Sequence, residues 1–344
     1  MKERYIAAIV GCALVDTLGM PVEGWKPEQI ARYVGRITQP TIAIIPRDAA
    51  GNEITEDEFG KIKGYTRHFK LGEYTDDTIL TLALAESIVE RGKLDLNDVA
   101  NKQLDAFLRN ENKGWGVTTK EAMAKLRRGT PPWESGVIGY PGNAPAMKMS
   151  PMGLYMHAAD DYGVGLEFAK SVGKITHLDP RSIVSGAVQA HAVYAVLTGI
   201  SRQEFVDFLP IVAQRHEEPV TPNCRGVEKG VFHTRMQWIK ENADASPMVA
   251  YQVLGNRSSV LQSHSFALFM FQRHWDDPVN GLLETVNWGG DCDTTAAMYG
   301  VLAGARHGNV WPQDWVEKIQ GLEPLVRAAE GIWAIGKREV RGRE

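Results

Sequence analysis

Thr75-Asp76-Asp77-Thr78-Ile79-Leu80-Thr81-Leu82-Ala83-Leu84 sets two carboxylates between threonine hydroxyls and runs at once into an apolar segment with helical spacing. Ile79, Leu80, Ala83, Leu84 and Ile88 fall on one face of a helix over 79–89. Far along the chain the arrangement returns: Gly289-Gly290-Asp291-Cys292-Asp293-Thr294 precedes a second helical pattern over 294–304. That helix carries Ala296, Ala297, Gly300, Ala303 and Gly304, small residues that let a neighbouring helix approach closely.

Each motif alone also reads as a helix cap. Thr75 is a good N-cap, Asp76 and Asp77 complement the helix dipole, and Asp291 or Asp293 would cap the later helix in the same way. Capping needs one oxygen, whereas each motif supplies two carboxylates and a hydroxyl. If the fold brings the motifs together, four carboxylates share a small volume and raise one another's pKa unless a cation neutralises them. Oxygen-only ligands suit magnesium or manganese better than zinc or copper. The expectation is a metal site with two divalent ions.

The other periodic segments are also helical. Residues 4–19 put Ile6, Ile9, Val10, Ala13, Leu14 and Thr17 on one face, and Gly19 with Pro21 ends that helix. Further helices are predicted over 98–108, 119–126, 182–197, 205–214, 231–241, 263–272, 281–286 and 315–321. The 182–197 helix, apolar and rich in small residues, is expected at the centre. Residues 26–72 read as a polar, insertion-like loop region with one short strand at 41–45, and the Gly- and Pro-rich residues 129–153 as a functional loop. Strand signals are too sparse for a sheet, so the expected fold class is all-α, one compact multi-helix domain over residues 1–344.

A chain of 344 residues with 44% hydrophobic and 23% charged residues can bury a large core. Its net charge of −4, with Lys and Arg spread along the chain, gives no nucleic-acid footprint. Cys12, Cys224 and Cys292 lack metal-ligand or redox spacing and fit a reducing compartment. No stretch approaches about 18 uninterrupted apolar residues, and the N-terminus has no long apolar leader. The expectation is a cytoplasmic protein with neither nucleic acid nor membrane as partner.

Five elements, in order, resemble the ADP-ribosylglycohydrolases. Gly11-Cys12-Ala13-Leu14-Val15-Asp16-Thr17-Leu18-Gly19 with Pro21-Val22-Glu23 is similar to that family's opening helix and following glutamate. Gly72 through Thr78 and Asn287 through Thr294 resemble its two metal motifs. Gly142-Asn143, with Ala146-Met147-Lys148 and Pro151-Met152-Gly153, resembles its substrate loop, and Thr176-His177-Leu178-Asp179-Pro180 its Thr-His-x-x-Pro element. The resemblance implies an all-helical domain with a central cleft holding two Mg2+ or Mn2+ ions, their ligands Thr75, Asp76, Asp77, Asp291, Asp293 and Thr294. It makes Asp77, Glu23 or Asp291 the base for an attacking water. Gly139, Tyr140, Gly142 and Asn143 would line the phosphates or ribose, and His177 would contact substrate. Asp16, His191 and His233 read as structural and Trp288 as packing, while Trp115 stays open between packing and stacking on a ligand.

The implied reaction is metal-dependent hydrolysis of an N- or O-glycosidic bond at ribose C1, releasing ADP-ribose from a modified protein side chain. Departures from the family pattern point to an alternative. Pro141 donates no N–H, Ala144 and Pro145 stand where Gly or Ser is usual, and Lys148 replaces Arg and loses its fork. A loop so altered favours a smaller ribosylated metabolite or nucleoside. A non-catalytic nucleotide-binding relative ranks last, because all six ligands are present.

Overall fold

The chain winds almost wholly into helices in a computed structural model that describes residues 1–64, 67–220 and 230–342. The first half holds α1 (Lys2–Gly19), α2 (Pro27–Tyr33), α3 (Asp76–Arg91), α4 (Leu96–Arg109) and α5 (Val117–Arg127). Next come α6 (Pro132–Ser135), α7 (Ala144–Met147), α8 (Ser150–Ala159), α9 (Tyr162–Lys174) and α10 (Pro180–Thr198). The rest is α11 (Arg202–His216), α12 (Phe232–Glu241), α13 (Pro247–Leu254), α14 (Ser263–Arg273) and α15 (Pro278–Asn287). It closes with α16 (Cys292–His307), α17 (Gln313–Val316) and α18 (Leu322–Gly342). A 3-10 turn, Met20–Val22, follows α1, and β1 (Glu56–Asp57) pairs antiparallel with β2 (Gly60–Lys61).

α1 and α16 form the axis, and their small residues explain why. A Cβ added at Gly11 would stand 2.7 Å from the Gly300 carbonyl, and one at Gly304 2.1 Å from that of Ala7. The two helices therefore meet backbone to backbone, and larger side chains there would force them apart. Ile9, Leu14, Val301 and Leu302 are buried around this contact, each contributing about 1.5–3 kcal/mol of transfer free energy. By length and composition Lys2–Val22 resembles a membrane-crossing helix, with mean hydropathy 1.7, yet 94% of that window is buried inside the fold. α10 is the second buried rod, as its composition predicts. α18 packs along α1, α3 and α8.

Several expectations need correction. The apolar run 41–45 forms no strand: Pro40 and Pro46 bracket it, and Ile42 is 60% exposed. The surrounding region is more than surface loop, because it contains α2 and buries Ile30, Ile37, Ile62 and Phe69. Residues 129–153 contain α6, α7 and the start of α8, each with proline at its first turn, where a missing N–H costs nothing. The helix expected at 315–321 stops at Val316. α9, α13 and α18 lie outside every predicted segment. Cys224 lies outside the described residues, while Cys12 and Cys292 are buried thiols.

Candidate metal centre

The acidic motifs are placed by the ends of three helices. Asp16, fully buried on α1, accepts from the Thr75 N–H at 3.0 and 3.1 Å and from the Thr78 hydroxyl at 2.7 Å. It thereby fixes the first turn of α3 from outside, as its structural reading expects. Thr75 caps the same turn and donates to Asp77 Oδ2 at 3.0 Å. On the other side, Gly289 and Gly290 have φ of 60° and 68°, a region that glycine enters without penalty. The Gly290 N–H donates to Trp25 O at 2.7 Å, and Gly290 O accepts from the Gly24 N–H at 2.6 Å. Asn256 completes the turn: its side chain donates to Gly289 O at 2.6 Å, and its carbonyl accepts from the Asp291 N–H at 2.9 Å.

These constraints bring the two motifs together. Thr294 donates its hydroxyl to Asp77 Oδ2 at 3.2 Å. Carboxylate oxygens of Glu23, Asp291 and Asp293 lie within 4.8 Å of one another. Glu23 hangs from the 3-10 turn beyond α1, and Gly19, whose added Cβ would stand 2.5 Å from the Asp293 Cα, lets α1 end against α16.

So dense a cluster is electrostatically unbalanced. Burial, reinforced by the Asp16 carboxylate, pushes Asp76 up to about 8. Burial and then Asp16, Asp293, Asp76 and Asp291 drive Asp77 well above the usual carboxylate range. Burial with Asp291 does the same to Glu23, and burial with Glu23 to Asp293; Asp291 is raised chiefly by burial. Burial also raises Asp16, to about 6. Among the described residues no lysine or arginine forms an ion pair with any of these groups. Asp77 Oδ1 is buried without a partner among the described residues. Burying unpaired carboxylates costs several kcal/mol each, so the residues present fit a hard divalent cation with oxygen ligands.

Asp76, Asp77, Asp291, Asp293, Thr294 and Glu23 all line one cavity of about 900 Å3. Thr75 does not line it and stands behind Asp77. Of the loop residues, Tyr140, Gly142 and Asn143 line the cavity; Gly139 does not. The Gly142 N–H is bonded to Tyr140 O at 2.9 Å. The Asn143 amide donates to Asp291 Oδ2 at 2.7 Å and Ser263 Oγ at 3.0 Å, which ties the loop to the second acidic motif. Gly142 has a further use: an added Cβ would stand 2.3 Å from His177 Nε2, so only glycine admits that ring. His177 lines the cavity, is held neutral by burial and by Lys148, and keeps its Nδ1 without a partner among the described residues. Asp179 caps α10 two residues later and pairs with Arg181, which fixes the turn that carries His177.

His191, bonded to Tyr162 at 2.6 Å, and His233, paired with Glu217, stay outside the cavity as structural groups. Trp288 stacks on Tyr251. Trp115 packs edge-on against Phe107 and also lines the cavity. Sequence reasoning missed Asn256 and the cavity-lining Lys63 and Lys120. Asn256 carries no local signal, since its role depends on a turn 33 residues away. Lys120 lies in the first turn of α5, and only the fold sets that turn on the cavity.

Comparison with known proteins agrees with this geometry. The family model described as ADP-ribosylglycohydrolase matches residues 1–342. An uncharacterized protein of Escherichia coli, YegU, is 28% identical, the match covering 95% of this chain and 91% of that one. ADP-ribosylhydrolase ARH3 of Gallus gallus is 25% identical, with 96% and 92% covered. A solved structure titled ADP-ribosylglycohydrolase-related protein complex shares the fold, with a TM-score of 0.65 at 23% identity over 97% of this chain and 98% of that one.

Proposed function

The chain belongs to the ADP-ribosylglycohydrolase family, and on that footing we propose that it is a divalent-metal-dependent hydrolase releasing ADP-ribose from a modified protein side chain. The observation that carries this reading is the Thr294–Asp77 bond, which brings both acidic motifs to one wall of one cavity. Asp76, Asp77, Asp291, Asp293 and Thr294 would hold Mg2+ or Mn2+, with Thr75 supporting Asp77. Bound there, divalent cations supply Lewis-acid polarisation and orientation of ribose hydroxyls.

In the hydrolysis itself, the oxygen of water bonds to ribose C1 as the C1–N or C1–O bond to the side chain breaks. The leaving atom takes up a proton, and carboxylates stabilise the oxocarbenium-like charge between. Glu23 is the best-placed base. It lies on the cavity wall at the end of a 3-10 turn, half-buried, whereas Asp77 Oδ2 is held by two hydroxyls and Asp291 by Asn143. His177, neutral, offers one ring nitrogen to substrate.

A second reading, hydrolysis of a smaller ribosylated metabolite, is favoured by the loop. Pro141 has no N–H and that of Gly142 is bonded to Tyr140, so few donors remain there for a diphosphate. Turnover of ADP-ribosyl-arginine, ADP-ribosyl-serine and simple ribosides with magnesium or manganese, by wild type and Asp293→Asn, tests both. Cleavage of ribosides alone selects the second reading, and activity equal in the variant removes the metal site from either.

A further inference from the structure

His177 reaches the cavity wall on a turn that is held from behind. Residues 174–178 are tied to residues 135–137 by backbone bonds. The Gly136 N–H donates to Lys174 O at 3.1 Å, the Val137 N–H to Thr176 O at 3.2 Å and the Leu178 N–H to Val137 O at 2.9 Å. A side chain from elsewhere also grips the turn. Lys148 Nζ donates to Thr176 Oγ1, one residue before His177, and to Gln103 Oε1 of α4, each at 3.1 Å.

Lys148 is fully buried and does not itself line the cavity. It closes α7, the short helix that follows Gly142 and Asn143. Its neighbour Met147 lines the cavity, with its carbonyl held by the Thr81 hydroxyl at 3.2 Å. One amine therefore links α4, the end of α7 and the turn that carries His177. Such a group is costly to bury unless it is well bonded, and here its bonds run to the two elements on either side of it. The ring they serve has little latitude, because Gly142 admits it only for want of a Cβ and a Cβ added at Gly136 would stand 3.0 Å from the His177 nitrogen. A small shift of the turn would press the imidazole into the 142–143 loop or draw it away. The Lys148 charge also adds to burial in keeping that ring neutral, while Asp179 and Arg181, the charged residues that follow on α10, pair with each other.

We propose that Lys148 is a positioning residue: through Thr176 it holds the His177 imidazole against Gly142, in the place from which the ring meets substrate. The role deepens the hydrolase reading and rests on it for the identity of that substrate.

Calorimetric titration of the full chain with ADP-ribose, magnesium present, and NMR spectra of the histidine Cε1–H groups in the same samples test this. Lys148→Met is expected to weaken ADP-ribose binding about tenfold and to move the His177 resonance. Lys148→Arg, which keeps the donors, should bind within about threefold of wild type. The Lys148→Met/His177→Ala double variant should bind no more weakly than His177→Ala, because both changes remove one linked unit. Thr176→Val cuts the same link with the lysine left in place, and should show the same loss and the same moved resonance if Lys148→Met does not fold. An unmoved His177 resonance, or losses that add in full in the double variant, overturns the proposal and leaves Lys148 a core residue. Wild type that neither binds ADP-ribose nor cleaves any riboside sinks the hydrolase alone, and the His177 resonance then decides the positioning role.

Discussion

Thr294 donates its hydroxyl to the Asp77 carboxylate at 3.2 Å, joining residues 217 positions apart. Through that bond the first turn of α16 touches the first turn of α3, and α1 supplies the brace for each. Asp16 holds α3 by its backbone donors, and Gly19 lets α16 close against α1. The fold thus concentrates like charges where α1, α3 and α16 meet, and repulsion there is a standing cost that a cation offsets.

That cost makes Asp293→Asn informative without any substrate. In metal-free protein the neutral amide relieves repulsion with Glu23 and Asp291, so the variant should melt higher than wild type. Each 1 kcal/mol relieved corresponds to roughly 1–2 °C for a chain of 344 residues. Magnesium or manganese should raise the Tm of wild type and leave the variant nearly unmoved, while turnover drops at least about 100-fold. Melting curves with EDTA and with metal check both halves, and a lower Tm for the metal-free variant would contradict the charge argument.

Asp16 should behave differently, because its oxygens face α3 donors. Asp16→Asn keeps one acceptor and is expected to bind metal within about threefold of wild type, while Asp16→Ala strands the Thr75 N–H and the Thr78 hydroxyl and costs about 2–3 kcal/mol. Urea unfolding and metal titration of the pair check this. Loss of metal binding in Asp16→Asn at full stability would make Asp16 a ligand instead.

Much of this was legible because it is local. The stripe of Ile79, Leu80, Ala83, Leu84 and Ile88 announces α3, and Thr75-Asp76-Asp77 announces its start. Gly300 and Gly304 announce close packing, although only the fold says that α1 is the partner. What stayed hidden depends on distant chain. Asn256 matters because residues 289–291 fold back onto it, and Lys120 because its helix begins at the cavity. α6, α7 and α8 were read as loop because proline and glycine dominate 129–153, yet proline is compatible with a first helical turn. The bonds that Gly142 and Asn143 make to Tyr140, Asp291 and Ser263 were not legible either, because these partners are tertiary or turn-specific.

Two glycines with similar backbone angles should respond very differently to alanine. Gly35 (φ 79°) has no atom of the described residues within 4 Å of an added Cβ, whereas at Gly290 (φ 68°) that atom would stand 1.9 Å from Asn256 O. Gly35→Ala should cost only the conformational penalty of about 1–2 kcal/mol. Gly290→Ala must also displace the Asn256 backbone and is expected to cost more than about 4 kcal/mol, with metal binding lost in whatever protein folds. Chemical denaturation of both gives the difference, and equal costs would mean that the 289–291 turn relaxes freely.

Lys148 gives a pH test away from the carboxylates. It is fully buried, donates to Gln103 Oε1 and Thr176 Oγ1 at 3.1 Å each, and is pushed by burial from the ordinary value of 10.5 down to about 7. Below about 7 both folded and unfolded chains carry this proton, and the fold bears a buried ammonium. Between 7 and 10.5 only the unfolded chain stays protonated, so the Lys148 contribution to stability rises with pH across that window and is lost as pH falls back through it. Lys148→Met removes the titration but leaves Gln103 Oε1 without its donor. The stability of wild type minus that of Lys148→Met should therefore climb by on the order of 2–4 kcal/mol from pH 6.5 to pH 10. Urea unfolding of both proteins along that series measures the difference directly. Parallel profiles would mean that the ammonium keeps its charge inside the fold, which would require an anionic partner beside Gln103 and Thr176.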